Sequence, residues 1–180
     1  MRLYKMLSVI VIGAMFALLG CNEENQTAEV HGTVYWAEAD IVQNSQDTTA
    51  QDTIIYLHPA EGVQVYLVQD ESSDNSYMGE DLYTTTDKNG EYSFTVYLGR
   101  NFDESKYMFD ELKMCDVKIS FIWTPDSDYT IHNPYTGEID TTTTVHIAGQ
   151  LENEITGLTI KSGTKAEAPR VIVGTEYIMR

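Results

Sequence analysis

The sequence has little that is basic and almost nothing that could cross-link it. Against 28 Asp and Glu stand 11 Lys and Arg, a formal charge of −17 at pH 7. That balance excludes a nucleic-acid surface, whose phosphates require Lys and Arg, and equally a body lying flat on anionic lipid. There are two cysteines, Cys21 and Cys115. The first is claimed by the export signal described below, so no intramolecular disulfide is expected and Cys115 reads as a small buried hydrophobe. A phosphate loop, a Gly-rich dinucleotide fingerprint and Gly-x-Ser-x-Gly are all missing. His31, His58, His132 and His146 are far apart, with no helical i, i+4 pair and no second cysteine to join them, so no metal site is expected. No internal repeat is evident.

What is present begins at the N-terminus. Arg2 and Lys5 precede an uncharged apolar run from Met6 to Leu19, which ends at Leu18-Leu19-Gly20-Cys21. The run is shorter than the roughly 20 residues of a membrane span, and a basic start with a small residue before the cut describes a secretory signal peptide. Leu18-Leu19-Gly20-Cys21 resembles a bacterial lipobox, with Leu19 where a smaller residue is commoner. The resemblance implies cleavage after residue 20 and acylation of Cys21, and several acyl chains hold a protein durably where one does not. Removing residues 1–20 takes away Arg2 and Lys5 and no acid, so the charge moves from −17 to −19. Residues 21–27 form an acidic tether through Asn22-Glu23-Glu24-Asn25, which resembles the signal that places lipoproteins on the outer face of some outer membranes; a plain solvated linker explains it equally well.

The body, 28–180, is expected to be one domain of short strands. Val30, Gly32, Val34 and Trp36 alternate with polar neighbours; so do Val63, Val65 and Leu67, then Tyr92, Phe94, Val96 and Leu98, then Val117, Ile119, Phe121 and Trp123. Asp87-Lys88-Asn89-Gly90 predicts a tight hairpin between the strand at Leu82–Thr86 and the one at Glu91–Leu98. Glu38–Asp52 has no periodicity and reads as a surface excursion, Ile54–Leu57 as a short extra strand, Asp70–Glu80 and Asp126–Glu138 as water-facing loops. Tyr107, Met108, Leu112 and Cys115 recur at three- to four-residue spacing, which predicts one short helix within Asp103–Cys115. Ile139–Ala148, Ile155–Lys161 and Val171–Ile178 add strands, the last completing this sheet or pairing with another chain.

Val30-x-Gly32-x-Val34, Pro59-x-x-Gly62-Val63-x-Val65 and Thr86-Asp87-x-x-Gly90-x-Tyr92-x-Phe94, in this order, resemble the carboxypeptidase regulatory-like domain over residues 28–124, with an insertion between Trp36 and Pro59 and an extension over 125–180. The resemblance implies an antiparallel β-sandwich of the transthyretin-like or immunoglobulin-like kind. It also implies a binding or spacer module with no catalytic residues to carry over.

The functional expectation is a non-enzymatic lipoprotein without cofactor, held at the outer membrane through Cys21, surface-exposed or periplasmic, and contacting another envelope protein. The alternative is a glycan-binding accessory: Tyr35, Tyr56, Tyr66 and Tyr97 would form its platform if they shared an outer sheet face, while Trp36 and Trp123 continue core alternations. Asp87–Glu91 and Asp126-Ser127-Asp128 offer calcium oxygens, but the first departs from the EF-hand pattern and is explained by its turn. Asp126, Asp128 and Glu138 are the only clustered carboxylates that a hydrolase could use. Asp47-Thr48-Thr49, Asp52-Thr53-Ile54 and Asp140-Thr141-Thr142 match a short O-glycosylation tripeptide, compatible with modification and no more.

Overall fold

The computed structural model describes residues 26–43, 50–103, 108–111 and 113–179. The signal sequence, Cys21, residues 22–25 of the tether and the Asp47-Thr48-Thr49 tripeptide lie outside them. The described chain is all-β, several sheets packed on one apolar cluster.

One long strand, β1 (Thr27–Gln43), organises the first sheet. Its first half pairs antiparallel with β5 (Glu91–Tyr97), its second half antiparallel with β2 (Gln51–Pro59). The N–H and C=O of Val34 point to the same side of β1 and mark the seam: the N–H donates to Gly90 O at 2.8 Å, and the C=O accepts from Ala60 N at 3.0 Å. On the other edge β1 runs parallel to β12 (Lys165–Glu167) and to β13 (Val171–Met179). The C-terminal strand thus completes this sheet, and the expectation of wholly antiparallel pairing fails at both C-terminal strands. Val34 faces Val171 across that parallel seam, and both are buried, as the strands of a covered parallel pair are.

The second sheet is antiparallel throughout, in the order β11 (Leu151–Lys161), β8 (Met114–Trp123), β3 (Gln64–Gln69) and β4 (Leu82–Thr85). Period-two alternation works as expected here: Val65, Leu67, Val117, Ile119 and Phe121 are wholly buried. Facing them from the first sheet are Val30, Val34, Trp36, Phe94 and Val96 in the same cluster.

The hairpin expected at Asp87–Gly90 is instead a corner between sheets. The turn forms, with Gly90 at φ 74° and Asp87 Oδ1 accepting from Asn89 N and Glu91 N at 2.8 and 2.9 Å, but β4 pairs with β3 and β5 with β1. Turn chemistry reverses the chain without fixing a partner. Here β1 captures Gly90, where a Cβ would lie 2.3 Å from Val34 O. The three resemblance motifs meet at this corner. Thr86 Oγ1 accepts from Val63 N at 2.9 Å and donates to Ala60 O at 2.6 Å, and Tyr92 covers Gly32 so closely that a Cβ there would lie 2.4 Å from its hydroxyl.

The expected helix is absent from the described residues: β6 (Arg100–Asp103) pairs antiparallel with β7 (Met108–Glu111), Phe102 opposite Phe109, and β8 begins at Met114. Four apolar residues at helical spacing make too little helix to stand without a docking face. Two stretches read as irregular are also strands. β1 runs on through Glu38–Gln43, paired to β2 along its whole length, and Asp126–His132 is β9, paired with β10 (Ile139–Ala148). Hydropathy marks Glu38, Asp40, Asp126 and Asp128 as exterior, which breaks the apolar alternation on which a strand is recognised. The β9/β10 hairpin meets β1 through Tyr129, whose ring stands edge-on to Trp36 and Trp123 at 5.3 and 6.0 Å. In the Asp70–Glu80 loop, Asp70 and Tyr77 are buried instead of facing water.

Candidate functional site

Val30, Gly32, Val34, Trp36, Glu38 and Asp40 occupy alternate positions of β1 and point to one face. The first four fill the core. The last two put carboxyl groups where the pattern calls for hydrocarbon, and both are 0% exposed. A bare buried carboxylate is costly, so its partners define the site.

Register supplies them. His58 lies opposite Trp36 across β1 and β2, and Tyr56 opposite Glu38. On the other edge Glu176 lies opposite Glu38, on the same face. From above, β9 delivers His132. His58 Nε2 donates to Glu38 Oε2 at 2.7 Å, His132 Nδ1 donates to the same oxygen at 3.0 Å, and the backbone N–H of His132 reaches Glu38 Oε1 at 2.8 Å. Burial alone would raise the Glu38 carboxyl. The hydrogen bonds from the His132 and His58 side chains, from His132 N–H and with Asp40 outweigh it and hold the carboxyl below its ordinary value. Burial pushes the His58 imidazole down, against the raising effect of Glu38, with the nearby His132 adding to the depression.

Each imidazole is clamped from behind. His58 stacks on Trp36 with centroids 4.0 Å apart and planes 6° from parallel; His132 stacks on Tyr56 at 4.0 Å and 5°. The two imidazoles are themselves 5.0 Å apart. Glu38 is the floor, and the histidine side chains, 15% and 18% exposed, are the mouth. One ligand atom from each of Glu38, His58 and His132 lies within 4.8 Å of the others, the donor set of a transition-metal site.

Of four histidines read as unconnected, the fold therefore brings two together. The usable signal was Trp36-x-Glu38-x-Asp40, a core alternation continued by acids, beside Tyr56-x-His58. His132 carried no signal of its own, because only the β9 fold-back places it.

The expected tyrosine platform is dispersed. Tyr35 lies on the opposite face of β1 from Glu38, with the Arg170 guanidinium 5.3 Å above its ring. Tyr56 is spent on His132. Tyr66 is in the other sheet beside Tyr83, ring centroids 5.2 Å apart, and Tyr97 shares the outer face with Tyr35 but lies opposite Thr27, eight residues along β1, its hydroxyl donating to Gln26 just before that strand. Trp36 and Trp123 are buried, as their alternation requires. Cys21 lies outside the described residues. The carboxylates considered for hydrolysis do not converge: Asp126 and Asp128 are exposed beside His146 at one end of the β9/β10 hairpin, and Glu138 is at the other end. The sequence matches no known protein-family profile and no curated protein.

Proposed function

We propose that this protein is a cell-envelope lipoprotein, anchored to the outer membrane through acylated Cys21, whose β domain is a non-enzymatic binding module of the transthyretin-like sandwich type. The observation that carries the anchor is the sequence Leu18-Leu19-Gly20-Cys21 closing an uncharged apolar run after Arg2 and Lys5. Support for the sandwich comes from the corner at Thr86 and Gly90, where three motifs separated in sequence interlock through Ala60, Val63 and Val34. Two sheets with alternate residues in one cluster agree with it. The partner of this reading is another envelope protein. A glycan is the weaker alternative, because both tryptophans are buried and, of the four tyrosines, only Tyr35 and Tyr97 share a face, at opposite ends of the β1/β5 pairing.

Intact mass and protease shaving of cells expressing wild type and Cys21→Ala test the anchor. The expected wild type is a chain beginning at Cys21 with acyl chains, in the membrane fraction, while Cys21→Ala is released. An unlipidated, unanchored wild type would overturn the reading and leave only the fold.

A further inference from the structure

We propose that Glu38, His58 and His132 bind a divalent first-row transition-metal ion, for which Zn²⁺ is the reference probe, and that the ion clips the β9/β10 hairpin to the β1/β2 pair. This goes beyond the envelope reading and stands whether or not Cys21 is acylated.

Geometry comes first. Four-coordinate zinc with bonds of about 2.05 Å to nitrogen and oxygen sets neighbouring donors about 3.3 Å apart. Glu38 Oε2 is 2.7 Å from His58 Nε2 and 3.0 Å from His132 Nδ1. Both ring nitrogens face one carboxylate oxygen, so an ion takes the place of the two N–H protons, each imidazole passing to the tautomer protonated on its other nitrogen, while the oxygen draws back from the ring nitrogens by about 0.3–0.6 Å. The imidazoles cannot easily swing away, since Trp36 and Tyr56 hold their planes to within 6° and 5°.

The donor set decides the class of ion. Two imidazoles and one carboxylate suit zinc, copper, nickel or ferrous iron, whereas calcium demands six to eight oxygens. Three protein ligands leave a further coordination position, which the partly exposed histidines place toward solvent. The surroundings favour a cation: Glu176 shares the face across β13, Asp40 follows Glu38 on β1, and the chain carries −17 overall.

A simple polar cluster would account for the hydrogen bonds but makes a different prediction. The protein as the cell makes it, purified in detergent from whichever fraction holds it and stripped with chelator, is titrated with Zn²⁺ by calorimetry and with Co²⁺ by visible absorption. We expect saturable one-to-one binding at micromolar concentration or tighter, cobalt bands of low-symmetry nitrogen and oxygen coordination, and a raised Tm with metal. His58→Asn and His132→Asn should each weaken binding at least about 100-fold. His146→Asn, which removes the exposed histidine beside Asp126 and Asp128, should leave it unchanged. Absence of saturable binding in the wild type to either ion up to millimolar concentration overturns the proposal whatever the variants do. So does binding that survives both substitutions at the site, or that is lost in His146→Asn.

Discussion

A carboxylate with no solvent exposure persists only where donors replace the lost water, and Glu38 has three such contacts from two histidines that arrive from different strands. Glu38→Ala leaves His58 and His132 without the carboxylate they share, and we expect a loss of about 3 kcal/mol or more in urea unfolding. Asp70 makes the same point near the opposite sheet. Its side chain accepts from the Ser72 hydroxyl and from the backbone N–H groups of Gly157 and Ser72, and these hydrogen bonds, the Ser72 hydroxyl first, hold its carboxyl below the ordinary value. A depressed folded value stabilises the protein above the unfolded value of about 3.9 and stops doing so as pH falls through the folded one. The stability difference between wild type and Asp70→Asn should therefore shrink between pH 6 and pH 3 when urea midpoints are compared. Cys115 is buried, and burial, with Asp116 adding to it, pushes its thiol up to about 11. At pH 8 a thiol reagent should label Cys115 in unfolded but not in native Cys21→Ala protein.

At the scale of elements, the corner at Gly90 determines which strands meet. Gly90→Ala combines an unfavourable φ of 74° with a Cβ 2.3 Å from Val34 O, so it should cost about 2–3 kcal/mol. Gly163→Ala has a similar φ of 70° but nothing within 4 Å, and about 1 kcal/mol is expected. Chemical unfolding of the two variants separates backbone strain from the loss of the corner. The same comparison shows what was legible beforehand. β3, β5 and β8 were readable because every inward position is apolar or aromatic. The second half of β1 was not, since Glu38 and Asp40 occupy inward positions and the pattern assigns acids to solvent. β9 was hidden by Asp126-Ser127-Asp128, and the helix expected within Asp103–Cys115 borrowed a spacing that strand pairing overrode in the described part of that stretch. Parallel pairing of β13 with β1 carried no local signal, because direction is set by the route of the whole chain. The site was legible only in its halves, as Trp36-x-Glu38 and Tyr56-x-His58.

Across the whole molecule, a chain of formal charge −17 has 28 acids against 11 basic residues, and among the described acids Glu38, Asp40 and Asp70 are buried. The Cys21→Ala chain should not sediment with anionic phospholipid vesicles at 0.15 M salt, since nothing in its composition offers a basic surface. Its polar centre works differently: Glu38 draws together positions 20 and 94 residues away and ties the β9/β10 hairpin to the first sheet. That convergence is the central claim, and a double-mutant cycle between Glu38→Gln and His132→Asn, read by urea unfolding at pH 7, tests it most directly. A coupling of about 1.5–3 kcal/mol is expected for a charged, buried hydrogen bond. Additivity to within about 0.5 kcal/mol would mean that the two side chains do not meet, and the site would not exist as described.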